Sequence, residues 1–368
     1  MRERPSVVVV GAGPSGAACA LALARDGIET VVLDKARFPR SKACAGGLSP
    51  SARRSLVELD LWDEVVLETQ HVDTVRLEAR SPVPVTVRGA AEGYVVPRRI
   101  LDSIVLGGAR VAGAEVREGW RVEEVTPEGG VVRVRARGPG GEAVLEAKWV
   151  VVAAGAAWRR RIDGRRGRII HAIMARYRGL DHDRHAIELQ FDEDLHPLYG
   201  WVFPEPGGIC NVGVGIEHAR LGGRPLGDVF RSFLARRLGR RMEGAEMIGR
   251  PSGHPIMASP WPGVPGVPGV LLAGEAARLV NPLTGEGIAP ALRSGILAAR
   301  TIAAAHGRGG ARERVLEEYA ALLRRDVGPS LLVGEALRTL AVRNLDWIIR
   351  HRRYLKGGRR ILHAIAYL

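Results

Sequence analysis

The sequence predicts an α/β composite: a parallel, doubly wound domain assembled from separated pieces, an antiparallel β-sheet inserted into it, and a helical C-terminal region. Three observations predict it. The β-branched run Val7–Val10, a glycine-rich turn, a helix-like segment and the run "TVVLD" read as a βαβ unit. Alternating stretches such as "VDTVRLEA" and "VPVTVRG" then take over, as antiparallel strands do. The first style returns at "RRILDSIVLGGARVAGAEV" and at "VLLAGEA", so one domain is interrupted by the other. The expected division gives 1–71, 97–167 and 263–305 to the parallel domain, 72–96 and 168–262 to the inserted sheet, and 306–368 to the helical region.

In chain order, Val7–Val10 is a strand buried on both faces, and Pro14 to Asp26 is a helix that Gly27 ends. Thr30 to Asp34 is the next strand, and 51–69 are helical. After the alternating 72–96 region come a helix and strand, then a hairpin around "VVRVRARG" and a buried strand ending in Ala154-Gly155. Residues 168–217 return to strands and 225–248 read as helix. "WPGVPGVPGV" is a linker, "VLLAGEA" a short buried strand, and a long helix starts near Gly287, with basic helical sequence beyond it.

Composition bounds the function. The 368 residues suit two intertwined domains, and 46% hydrophobic content supports a large core. Three cysteines cannot make a disulfide framework, fit a reducing compartment, and are too few for a four-cysteine iron–sulfur cluster. The net charge of +14 is almost all arginine, since only four lysines occur, and it points to an acidic partner. No basic stripe is interleaved with base-stacking aromatics, so nucleic acid is not expected. The start resembles a signal peptide, but Pro14 and three glycines interrupt it, and it is read as mature cytoplasmic structure. The histidines show no metal spacing, so no metal is expected.

Gly11, Gly13 and Gly16 form G-x-G-x-x-G between strand and helix. The first permits the tight turn, the second lets a pyrophosphate approach, and the third lets helix and strand pack closely. Pro14 and Ser15 open the helix, whose free N–H groups face the phosphate. Asp34 ends the second strand, where it would bind a ribose hydroxyl pair, with Lys35 beside it. This Rossmann-like unit does not by itself separate NAD from FAD.

"LLAGEAARLVNPLTGEGI", Leu271 to Ile288, resembles the second flavin-contact motif of the p-hydroxybenzoate hydroxylase-like flavoproteins, with Glu275 where aspartate is usual. "VVPRRILDSIV" resembles their R-x-x-x-D segment, and "VVVAAGAAWRRRI" their A-x-G segment without its aspartate. "FPRSKACAGGLSP", "YGWVFPEPGGICNVGVGI" and "NPLTGEGI" narrow this further: over residues 5–300 the chain resembles the geranylgeranyl reductase family. The resemblance implies a Rossmann-like FAD-binding domain, FAD as cofactor, and an inserted substrate-binding sheet. It implies FAD contacts from the fingerprint (Gly11, Gly13, Pro14, Ser15, Gly16), Asp34, Lys35, Lys42, Ala43, Arg98, Ala154 and Gly155. Gly274, Glu275 and the loop Pro282, Gly285, Glu286, Gly287 and Ile288 complete the set.

The same resemblance implies hydrogenation of isolated double bonds in a polyprenyl chain carried on a lipid, a quinone or a pyrophosphate. Reduced flavin supplies hydride, and a thiol or ordered water lies in the proton path. Cys44, in a loop of small residues, is the candidate for that position, with a small buried packing residue as the alternative. Tyr199 and Trp201, with Phe203, share one strand face and would form an aromatic wall suited to an apolar substrate, Tyr199 and Trp201 acting on developing charge. Gly46, Gly47, Phe203 and Pro204 are the expected substrate contacts. The electron donor is left between NAD(P)H and ferredoxin, and the oligomeric state is open. The rival readings are a flavin monooxygenase or halogenase on the same fold, and a low-turnover lipid-binding flavoprotein. Seven basic residues (Arg343, Arg350, Arg352, Arg353, Lys356, Arg359, Arg360) crowd the C-terminus. They would either meet an anionic membrane as a peripheral contact at its inner face or decorate a packed helix.

Overall fold

The structure is a computed structural model that describes residues 3–78, 85–158, 168–258, 265–308 and 311–351. Strand β1 (Val7–Val10), helix α1 (Pro14–Arg25) and strand β2 (Thr30–Asp34) form the βαβ unit, with β1 and β2 parallel in register Val7–Thr30. All four valines of β1 are at most 3% exposed, a burial that stabilises by about 1.5–3 kcal/mol per side chain. A short β3 (Gly47–Leu48), helices α2 (Pro50–Glu58) and α3 (Trp62–Leu67), and the hairpin β4 (Gln70–Glu78) and β5 (Val85–Val95) follow. The chain then returns through α4 (Arg98–Val111) and β6 (Glu115–Glu118), makes a meander β7–β9 (Arg121–Glu128, Val131–Gly138, Gly141–Ala147), and runs into β10 (Trp149–Val152).

Four strands then join the second sheet: β11 (Ile169–Arg178), β12 (Ala186–Gln190), β13 (Gly200–Glu205) and β14 (Ile209–Glu217). Helices α5 (His218–Leu221) and α6 (Leu226–Phe233) precede β15 (Glu246–Met257). The pair β16 (Gly266–Val267) and β17 (Val270–Leu272) leads to α7 (Ile288–Arg308), α8 (Arg312–Asp326) and α9 (Gly328–His351). Helical turns run on from α6 only to Met242, so the helix expected over 225–248 gives way to β15.

The first sheet has the order β16-β17-β10-β1-β2-β6 and is parallel except for β16. Helices α1, α4 and α7 pack together against it, and the meander packs on β1, β2 and β10. A Cβ on Gly295 of α7 would lie 2.1 Å from the Ser15 carbonyl oxygen, which shows how closely α7 seats on α1. The second sheet has the order β15-β11-β14-β13-β12-β4-β5-β3. Its strands come from both sides of the α4–β10 return, joined where β12 pairs in parallel with β4, Ala186 opposite Thr74. Among the described residues no helix is long and apolar enough to cross a membrane.

Candidate active site

The fingerprint glycines are fixed by close backbone contact. Gly11 has φ +99°, and a Cβ there would lie 2.6 Å from the Ala153 carbonyl oxygen. A Cβ on Gly16 would lie 1.8 Å from the Gly11 carbonyl oxygen, so α1 can approach β1 only with hydrogen at that position. Gly13 is different: its nearest neighbour would be Arg40 Nη2 at 3.5 Å, which leaves the open face of the turn free. Gly13 is the N-cap of α1 and supplies no side chain, and Pro14 follows. The first N–H groups of α1 are therefore available to an anion. Asp34 Oδ2 accepts from the Ala12 N–H at 2.7 Å and Oδ1 from the Ala36 N–H at 2.7 Å. Each oxygen keeps a lone pair for a further donor, such as a ribose hydroxyl.

Behind this cradle lies a cluster of charge. Arg98, the first residue of α4, is buried and makes a two-pronged pair with Asp102, Nε–Oδ1 2.8 Å and Nη2–Oδ2 2.9 Å. Arg40 adds a contact to Asp102 Oδ2 at 3.1 Å. Burial opposes the Arg98 charge, but Asp102 and the Cys44 sulfur outweigh it and hold the guanidinium above its ordinary value. Burial, with the neighbouring Arg98 charge, pushes the Lys42 ammonium down, while Glu275 and Asp102 act against that shift. Glu275 Oε1 accepts from the Met257 N–H at 3.0 Å, and its Oε2 lies 3.7 Å from His254 Nε2. Burial would raise the Glu275 carboxyl, but His254, Lys42 and the Met257 N–H hold it below the usual carboxylate range.

The thiol loop joins this cluster to the second sheet. Gly46 has φ +81°, and a Cβ there would meet the Val96 carbonyl oxygen at 2.4 Å. A Cβ on Gly47 would meet the Phe203 ring at 3.0 Å. Two glycines thus let the loop lie flat between β5 and β13, and Cys44 comes to rest against Arg98. The Gly46 N–H points at the Cys44 sulfur, 3.4 Å away. Ala45 has no positive φ and packs into the apolar cluster of the second sheet, so its methyl group costs no backbone strain. Asn211, fully buried on β14, ties the loop to the wall opposite. Its Oδ1 accepts from the Trp201 indole N–H at 3.0 Å, and its Nδ2 donates to the Cys44 carbonyl at 2.9 Å and to Glu205 Oε1 at 3.0 Å. Glu205 is held in turn by Arg176, Nε–Oε2 2.8 Å.

These features open onto one cavity of about 620 Å³. It runs from the fingerprint and Asp34, past Lys42, Cys44 and Arg98, to a wall of Tyr199, Trp201 and Phe203 backed by Met174, Ile187 and Leu189. The Tyr199 hydroxyl donates to the Thr284 carbonyl, which ties the aromatic wall to the loop before α7.

Residues 4–202 match a family model described as an FAD binding domain. The chain is 30% identical to a menaquinone reductase of Mycolicibacterium smegmatis over 95% of each chain. It is 33% identical to digeranylgeranylglycerophospholipid reductase 1 of Methanopyrus kandleri, covering 79% of this chain and 78% of that one. A solved geranylgeranyl bacteriochlorophyll reductase-like protein from Thermoplasma acidophilum superposes with a TM-score of 0.88 at 25% identity, over 100% of this chain and 96% of that one. The chain belongs to the geranylgeranyl reductase family of FAD-dependent oxidoreductases. Flavin-dependent halogenases share its fold at lower identity, for example the chondrochloren halogenase at 22% with a TM-score of 0.75.

The cradle suits the family's FAD. Gly13 leaves room for a pyrophosphate, the α1 N-terminus offers N–H donors, and Asp34 retains acceptor capacity. Of the residues expected at the site, most line the cavity, including Lys35, Ala43, Ala154, Gly155, Gly285, Gly287 and Ile288. Gly16, Gly274, Pro282 and Pro204 do not line it. Gly16 and Gly274 are packing positions; a Cβ on Gly274 would meet Ser15 Oγ at 2.7 Å. Pro204 falls between Phe203 and Glu205 on β13, on the alternate sheet face, and does not line this cavity. Asn211, Glu205, Asp102 and His254 were not picked out as site residues. The signal for Asn211 was present in "CNVGVGI", an amide alone among apolar and glycine positions of a buried strand. Of the basic C-terminal residues, 352–368 lie outside the described residues, as do residues 159–162 of the A-x-G segment.

Proposed function

We propose that this flavoprotein saturates isolated C=C bonds of a polyprenyl chain carried on a membrane lipid, a quinone or a pyrophosphate. The observation that carries the reading is the single cavity whose polar end fits a dinucleotide and whose other end is walled by aromatic and aliphatic side chains. The relatives named for menaquinone and for digeranylgeranylglycerophospholipid support the same substrate class. Bound FAD supplies the hydride chemistry. The fingerprint, α1 and Asp34 hold its dinucleotide, and Lys42 and Glu275 form the charged wall beside Gly155. Cys44 keeps the thiol loop at the junction, and Tyr199, Trp201 and Phe203 exclude water and guide the chain.

The reading assigns 1–71, 97–167 and 263–305 to FAD, 72–96 and 168–262 to the substrate, and the basic C-terminal segment to an anionic membrane from which the lipid is collected. The test is anaerobic. Reduce the FAD-loaded protein with dithionite, add geranylgeranyl-bearing phospholipid, menaquinone or geranylgeranyl pyrophosphate, and follow flavin reoxidation and product mass. A gain of about 2 Da per reduced bond with matching reoxidation is expected for hydride plus proton. Reoxidation only with oxygen, with oxygen or halide entering a ligand, would replace this reading with a monooxygenase or halogenase.

A further inference from the structure

We propose that Glu286 is the acid that protonates the alkene, a role that rests on the polyprenyl-reduction reading above. The loop carrying it is tied by hydrogen bonds to Asn281. Asn281 Oδ1 accepts from the N–H groups of Leu283 (2.9 Å) and Thr284 (3.1 Å), and the Asn281 N–H donates to the Glu286 carbonyl at 2.8 Å. The side chain lines the cavity, and its Oε1 is sealed from solvent with no hydrogen-bond partner.

The groups around it leave the carboxyl without a counter-charge. The Ser49 hydroxyl, at the N-cap of α2, is its hydrogen-bonded neighbour. Tyr199 faces it from the residue just before β13, but the Tyr199 hydroxyl proton is committed to the Thr284 carbonyl. The cavity's cations act elsewhere, Arg98 on Asp102 and Lys42 on Glu275. Burial therefore raises the Glu286 carboxyl to about 7, with Ser49 pulling the other way. A carboxylic acid kept neutral near physiological pH, with a free oxygen in an apolar cavity, is equipped to give up a proton. Cys44 is less free, since the Gly46 N–H and Arg98 both address its sulfur.

In the step, the alkene π pair forms a new C–H bond with the Glu286 proton, and the neighbouring carbon receives hydride from the reduced cofactor. Glu286 is left a carboxylate, takes its proton back from solvent, and the cofactor is left oxidised. Hydride and proton together add one H₂ across the bond.

The experiment uses full-length holoenzyme, Glu286→Gln and Glu286→Asp, in anaerobic single turnovers with a prenyl substrate that the wild type reduces. Gln matches the neutral acid in shape, so with each variant titrated to full FAD occupancy the E286Q rate should fall about 10²–10³-fold. The wild-type rate should drop above about pH 7, a limb that E286Q loses and E286D keeps. A second readout needs no cofactor: urea unfolding of the apoprotein from pH 4 to 8. The raised folded value means that wild type loses stability relative to E286Q as pH climbs from 4.5 to about 7. An E286Q rate equal to wild type with the same alkaline limb overturns the proposal. So do parallel apoprotein stabilities across the range, because the positive end of α7 would then be holding an ordinary carboxylate. If the wild type reduces no prenyl substrate while the two apoproteins still diverge with pH, the function reading falls and the donor role falls with it.

Discussion

Asn211→Ala is the sharpest test of how the cavity is held. The change removes one acceptor and two donated hydrogen bonds at a fully buried position. Glu205 keeps Arg176, so its loss is partly covered. The Trp201 indole N–H and the Cys44 carbonyl lose the partner that Asn211 gave them. Each buried group left unpaired costs about 1–3 kcal/mol, so the variant should lose about 4 kcal/mol. With an unfolding entropy of about 2.1 cal/mol/K per residue over the whole chain, that is a melting-point drop of about 5 °C. The second readout is thiol labelling. Burial pushes the thiols of Cys19 and Cys210 far up, so the reagent reads Cys44 alone. Freed from Asn211, the loop should expose Cys44 and label several-fold faster. Asn211→Asp should do no better, because it sets a second carboxylate against Glu205. A melting point within 1 °C of wild type, with unchanged Cys44 labelling in Asn211→Ala, would refute the argument that this amide positions the thiol loop.

Three further outcomes follow from the same geometry. Gly16→Ala should fail to fold, since its methyl would sit 1.8 Å from the Gly11 carbonyl oxygen, whereas Gly13→Ala should fold and bind FAD at least 10-fold more weakly; circular dichroism and FAD titration separate the two. Gly213→Ala would place a methyl 2.2 Å from the Trp201 ring and 2.6 Å from the Ile173 carbonyl oxygen. The indole must swing into the cavity, so its fluorescence should shift and the longest accepted prenyl chain should shorten. Glu275 has a depressed folded value, so its contribution to stability is complete above its ordinary 4.5 and is lost as pH falls through the lower folded value. Glu275→Gln should therefore be less stable than wild type at pH 7, with the gap closing on acidification below pH 4.5 in urea unfolding.

What the sequence made legible was local. The βαβ unit was readable because its glycines, its strands and Asp34 all fall within one short stretch, where backbone sterics dictate residue type. The aromatic wall was readable because alternation along a single strand fixes a face. The rest depends on pairings that no window contains. Asn211 reaches Cys44 across 167 positions, and β12 finds β4 across more than a hundred. β15 escaped notice because "GRPSGHP" carries two glycines and two prolines. Such a sequence survives there because β15 is an edge strand, where a proline that cannot donate leaves no ladder bond unmade in the sheet interior. Pro204 shows the same limit: it belongs to one motif with Phe203, but the pleat divides the two between opposite faces, and only Phe203 lines the cavity.

The thiol loop has to satisfy two surfaces of opposite character, and this accounts for its composition. On one side stand Arg98, Lys42, Asp102 and Glu275, whose charges can be buried only as mutual partners. On the other stand the rings of Trp201 and Phe203, which offer the cavity an apolar surface. A loop of ordinary side chains would hold these walls apart. Gly46 and Gly47 let its backbone touch the Val96 carbonyl and the Phe203 ring directly, and Asn211 then pairs the Cys44 carbonyl that this flattening turns toward the second sheet. The polar bonds are thereby spent on the back of the wall, and the face left to the substrate is apolar. In such a cavity a carboxyl without a counter-charge stands out, because only the Ser49 hydroxyl lowers the free energy of its charged form and burial outweighs it. That asymmetry singles out Glu286, rather than the equally buried Glu275 whose charge His254 and Lys42 hold, as the group able to part with a proton.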